Sequence, residues 1–161
     1  YGGKGVERFL KSDKEGLSKY LTSNNVHPGS HILQKYYDVK MGIPRVVSGI
    51  HDMRIMITNN RIIFCYIRKP SNPNEFRANF AVGGTMEEVI VSNIPTEIVS
   101  FVNPIMKEAY EKYKNPLFAI DLFMTEEGPK IIEITGANMG FPMPDMNLQP
   151  FYSHLVERFT K

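Results

Sequence analysis

A single cysteine, Cys65, rules out any disulfide within the 161-residue chain, and a reducing, cytoplasmic compartment is expected. Its place inside the apolar run IIFCYI suits a buried core thiol. No apolar run approaches the ~20 residues that cross a bilayer, and no signal peptide is visible, so no membrane partner is expected. Lys and Arg cluster nowhere, and the net charge is only +2, which argues against a dedicated nucleic-acid surface. The four histidines, His27, His31, His51 and His154, lack the spacing of a zinc site. No Ser–His–Asp or Cys–His arrangement emerges from spacing either. Repeats and low-complexity tracts are absent. An initial Met is absent too. The chain opens on Tyr1-Gly2-Gly3-Lys4-Gly5-Val6, a glycine loop with no strand leading into it, and is expected to be an internal stretch of a longer protein.

What remains is an ordinary globular composition, 42% hydrophobic and 22% charged, with a length that buries a core without staples. Val6 to Leu10 is expected to be a short strand. A helix should follow Ser12 and Asp13 and run to about Asn24, and a strand should cover Ile32 to Tyr37. Met41 to Gly49 reads as a polar connection. Two apolar runs, Met53 to Thr58 and Arg61 to Ile67, flank Asn59-Asn60, a pair that tolerates the positive φ of a hairpin turn. Phe76 to Gly84 reads as extended and then turning. Ile94 to Lys114 has helical periodicity, with Pro104 expected to kink or split it. Strands over Leu117 to Met124 and Lys130 to Thr135, a loop from Gly136 to Gln149 and a closing helix from Phe151 to Phe159 complete the order. Strands and helices do not alternate, so the fold class is α+β, an antiparallel sheet flanked by helices.

The sharpest chemical signal is a pair of acids, Asp121 in FAIDLFM and Glu133 in IIEIT, each interrupting an apolar strand. If the hairpin turns symmetrically about Glu127, the two face each other with Cβ atoms about 5 Å apart. Opposed like charges destabilise a sheet, so a shared proton, an arginine or a divalent cation must compensate. Removing either charge should then slightly stabilise the metal-free protein. A shifted register would instead leave both acids on a solvated face. Other candidates are more local. Gly2-Gly3-Lys4-Gly5 is either a phosphate-approaching loop or a plain turn. Arg68 and Arg77, the latter beside Asn79, have the guanidinium geometry that recognises phosphate, or are surface residues. Asp52 and Arg54 share a strand face. They are either an exposed pair, or Asp52 holds a ribose hydroxyl or anchors a basic group. Met139, Met143 and Met146 are expected to pack.

Taken together, YGGKGV, HILQKYY, HDMRIMI with YIRKP and FRANFAVGG, and FAIDLFM with KIIEIT resemble, in order and spacing, the ATP-grasp superfamily. The nearest branch is that of ribosomal-protein glutamate ligases and bacterial glutathione synthetases. The resemblance implies a remnant of the small ATP-grasp lobe over residues 1–36 (glycine loop, helix, hinge strand) and the large C-terminal lobe with the metal site over 37–161. It also implies an ATP-dependent carboxylate–amine ligase working through an acyl phosphate, or a non-catalytic ATP-binding module of the same fold. The present stretch alone is expected to be inactive. Gly3, Lys4 and Gly5 would close over the triphosphate, and Lys35 and Tyr36 would meet adenine through backbone groups. Asp52 would contact the ribose. Arg77 and Asn79, with Arg68 nearby, would bind phosphate, the two arginines acting catalytically. Asp121, Glu133 and Thr135 would ligate Mg or Mn. Thr135 stands where the family usually has Asn, with Asn138 as a conceivable replacement, and Lys35 stands where many relatives carry an acid. Substrates would be ATP with a small-molecule or peptide carboxylate and an amine; whether the protein is a homo-oligomer is left open.

Overall fold

In a computed structural model, the described residues are 6–23, 26–27, 29–72, 75–136, 139–140 and 146–160. The chain divides into two compact units, one reaching to Tyr37 and the other starting at Asp38. The first contains α1, Lys14–Thr22, whose N-terminus is capped by Asp13 accepting from the Gly16 amide at 2.9 Å. That cap satisfies one of the donors every helix leaves unpaired. None of the described residues of this unit is buried, and none forms a strand. Val6–Leu10 and Ile32–Tyr37 are therefore irregular, contrary to expectation. Apolar, β-prone side chains make a strand only where a neighbour takes the backbone hydrogen bonds.

The second unit is a five-stranded antiparallel sheet in the order β3-β2-β1-β4-β5. Strands β1, Asp52–Thr58, and β2, Arg61–Lys69, join through Asn59 and Asn60, which adopt φ of 52° and 55°. Two residues of positive φ give the turn whose twist matches that of the strands. β3, Thr85–Glu88, is a short edge strand with no signature in the sequence. Strands β4, Phe118–Thr125, and β5, Gly128–Thr135, form the second hairpin.

One face of the sheet carries Met53, Ile55, Ile57, Cys65, Ile67, Ile120 and Leu122, packed on Ile98 and Val102 of helix α2, Thr96–Lys112. Helix α2 runs through Pro104 without a break. The carbonyl that Pro104 orphans belongs to Ser100, and both residues are exposed, so water can take up the lost bond. Ile43, read from sequence as part of a polar connection, is fully buried in the same core, and its amide bonds the Val47 carbonyl. The opposite face is split. At one end Met56, Phe64, Tyr66 and Ala119 pack on Phe151 of helix α3, Gln149–Thr160. Met139 and Met146 join that cluster, while Met143 lies outside the described residues. The other end is charged. Among the described residues, no helix is long and apolar enough to cross a membrane.

Candidate active site

Strand pairing builds the charged patch. Arg54 on β1 stands opposite Tyr66 on β2 and Asp121 on β4, and Asp121 stands opposite Glu133 on β5. Asp52 stands opposite Arg68 one step further along. Side chains two residues apart share a face, so Asp52, Arg54, Arg68, Asp121 and Glu133 all lie on one side of the sheet.

The acids do face each other, but by a different route from a symmetric hairpin. The turn is centred between Glu126 and Glu127, and pairing runs evenly from Thr125↔Gly128 to Leu122↔Ile131. Continued evenly, it would set Ile132 against Asp121 and send Glu133 to the apolar face. A β-bulge at this point leaves Ile132 as the extra residue and restores Glu133 to the position opposite Asp121.

The two acids sit in unlike surroundings. The Asp121 side chain is 4% exposed and that of Glu133 58%. Asp121 is gripped by arginines. Its Oδ1 accepts from Arg54 Nε at 2.6 Å, and its Oδ2 accepts from Arg54 Nη2 at 2.6 Å and Arg68 Nη2 at 2.8 Å. Arg68 Nε also donates to Asp52 Oδ1 at 2.5 Å. Asp52 and Arg54 are therefore buried members of a four-residue network rather than an exposed pair, and Asp52 anchors a basic group. Arginine is thus the compensation Asp121 receives, so deleting its charge leaves two buried cations short of a partner. For this residue the geometry therefore predicts a loss of stability instead of the slight gain expected from relieving repulsion.

Burial pushes the Asp52 carboxyl up to about 6, although Arg68 opposes the shift. Burial also raises Tyr66, which stands opposite Arg54 on the neighbouring strand. His51, just before β1, has its value lowered by burial. It bonds the Gly49 carbonyl through Nδ1 at 2.9 Å and accepts the Met124 amide through Nε2 at 3.2 Å, which fixes a neutral tautomer.

Glu133 lies 3.7 Å from Arg54 Nη2 and accepts from Thr135 Oγ1 at 3.2 Å. Thr135 thus bonds the acid it was expected to assist as a ligand. Among the described residues no group of three or more His, Cys, Asp or Glu gathers to hold a metal. A cation here would draw on the two carboxylates and complete its shell with water or phosphate oxygens, an all-oxygen set that suits Mg or Mn. A carboxylate has about four lone-pair positions. Asp121 uses three of them on arginine N–H groups, and Glu133 remains half open, so the residues fit such an ion.

Arg77 and Asn79 lie on the β2–β3 connection. Arg77 pairs with Glu75 through Nε at 2.9 Å and Nη2 at 2.8 Å, and holds the Glu75 carboxyl down at about 2. The Asn79 carbonyl accepts from the amides of Val82 and Gly84. Gly84 cannot carry a side chain without moving its neighbours, because a Cβ there would lie 2.3 Å from the Ala78 carbonyl oxygen. On the first unit, Lys35 places its ammonium 4.6 Å from the Tyr37 ring centroid, and Arg8 lies 5.0 Å from that of Tyr36. Gly3, Lys4, Gly5 and Asn138 lie outside the described residues. Sequence reasoning placed Arg54 on one strand face with Asp52, from their alternation with Met53 and Ile55, but gave it no role of its own, and it did not single out Tyr66.

The five-stranded antiparallel sheet flanked by helices is the expected α+β fold, and the comparisons name its family. The profile of the RimK-like ATP-grasp domain matches residues 1–149, and the chain belongs to that family. It is also 32% identical over 107 residues, 66% of its length, to the glutathione synthetase of Buchnera aphidicola subsp. Schizaphis graminum (strain Sg). The chain spans 31% of that relative's length.

Proposed function

We propose that the full-length protein joins a carboxylate to an amine at the expense of ATP. The substrate carboxylate attacks the γ-phosphorus and ADP leaves, giving an acyl phosphate. The amine then attacks the acyl carbon, phosphate leaves, and the amine loses a proton. The opposed pair Asp121 and Glu133 beside Arg54 and Arg68 carries this reading. Asp121 and Glu133 would hold a Mg or Mn ion, which when bound would neutralise phosphate oxygens. The first step needs charge neutralisation and alignment rather than a protein nucleophile. That fits a patch with arginines and carboxylates and no Ser, Cys or His in the network. Arg68 spans both buried acids, so it is held in place before any substrate arrives. Arg77, Asn79, Asp52, Lys35 and Tyr36 are assigned to nucleotide contacts, and residues 1–36 to the small lobe, by family pattern.

The test is ADP release by the full-length protein with Mg·ATP and panels of carboxylates and amines. Wild-type protein should release ADP in step with amide formation, and Glu133→Gln should lose turnover at least a hundredfold while melting within a few degrees of wild type. Wild-type turnover in that variant overturns the assignment. One observation favours the alternative of a non-catalytic ATP-binding module: Asp121 already has both oxygens engaged by arginine. In that case ATP would raise the melting temperature, and no substrate panel would release ADP.

A further inference from the structure

Arg54 does more than neutralise Asp121. Two of its three nitrogens, Nε and Nη2, pair with the carboxylate, and the third, Nη1, donates to the carbonyl of Met139 in the segment after β5. The next residue, Gly140, adopts φ of +68°, and a Cβ there would come to 3.4 Å from Arg54 Nη1. One buried guanidinium therefore touches the acid on β4, approaches the acid on β5 and holds the Met139–Gly140 backbone. A divalent cation on Asp121 and the Arg54 guanidinium seek the same oxygens with the same sign of charge.

We propose that Arg54 is a positioning residue that competes with the divalent cation for Asp121 and, through its bond to Met139, couples cation binding to the position of the Met139–Gly140 segment. This rests on the reading of Asp121 and Glu133 as cation ligands. Charge counting supports competition. Three carboxylates, Asp52, Asp121 and Glu133, face two arginines, so the patch has one negative charge to spare when Asp52 is ionised. A dication added with Arg54 still seated on Asp121 over-neutralises it. Coupling is reciprocal. Whatever draws Arg54 off Asp121 alters its hold on Met139, and whatever frees Met139 weakens the hold of Arg54 on Asp121.

The test uses Mn²⁺ alone, without nucleotide, on the full-length protein. Affinity is read by electron paramagnetic resonance, and amide hydrogen exchange is followed at residues 139–140. Arg54→Gln should bind Mn²⁺ about tenfold more tightly than wild type. In wild type, Mn²⁺ should speed exchange at 139–140; in the variant exchange should already be fast and insensitive to Mn²⁺. Gly140→Ala, which disturbs the loop side and leaves the acids intact, should tighten Mn²⁺ about two- to threefold, and it keeps the question answerable if Arg54→Gln folds poorly. Equal or weaker Mn²⁺ binding in both variants, with Asp121→Asn abolishing binding, overturns the competition while leaving the cation site standing. No Mn²⁺ binding by wild type overturns both.

Discussion

The two faces of the sheet use the same strands to opposite ends. On the α2 face, Ile55, Ile67, Ile120 and Leu122 are interchangeable in kind, and each contributes by area removed from water. On the other face, Arg54, Arg68, Asp52 and Asp121 are tied to one another by short hydrogen bonds, and no member can change without stranding a partner. The first face tolerates approximation. The second is stable only when complete, because a buried charge costs far more unpaired than a paired one contributes.

The largest test of this contrast is Asp121→Ala. It should cost about 3–5 kcal/mol in chemical denaturation, since Arg54 and Arg68 would share a buried site with only Asp52 and Glu133 nearby. Ile55→Val, one methylene removed from the other face, should cost only about 0.5–1.5 kcal/mol by the same measurement. Equal losses would mean that the charged face is no more demanding than the apolar one. The smallest effect concerns pH. Because burial lowers the folded value of His51, its contribution is fully present above its ordinary value near 6.5 and fades as pH falls below that, when the unfolded chain takes up the proton more readily. Asp52 acts in reverse: with its folded value raised to about 6, its protonation between pH 6 and 3.8 favours the folded state. Replacing His51 with Gln should flatten the fall in melting temperature between pH 7 and 5.5. A slope unchanged by that substitution would remove His51 as its source.

Legibility in the sequence followed the distance over which information was needed. The β1–β2 hairpin was readable because Asn59-Asn60 fixes its own turn, and α2 because its apolar period is local. Asp13 announced its own helix. The Asp121–Glu133 pairing was reached, but the bulge at Ile132 was not foreseen, since nothing in KIIEIT says which isoleucine will leave the ladder. The arginine grip on Asp121 was out of reach because it depends on β1 lying beside β4, a neighbour relation between segments far apart in sequence. The proposed strand at Ile32 to Tyr37 failed for a related reason: composition names a candidate, and only a partner makes it a strand.

The bulge at Ile132 carries a lesson for anyone comparing such hairpins. Counted outward from the turn, pleat by pleat, the residue meeting Asp121 would be an isoleucine; the acid arrives there only because the backbone skips a step. A cousin lacking Ile132, with its acids one position closer in the chain and a straight ladder, would present the same two carboxylates in the same place. Equivalence between the two would therefore be visible in three dimensions and hidden from anyone who aligned them by counting.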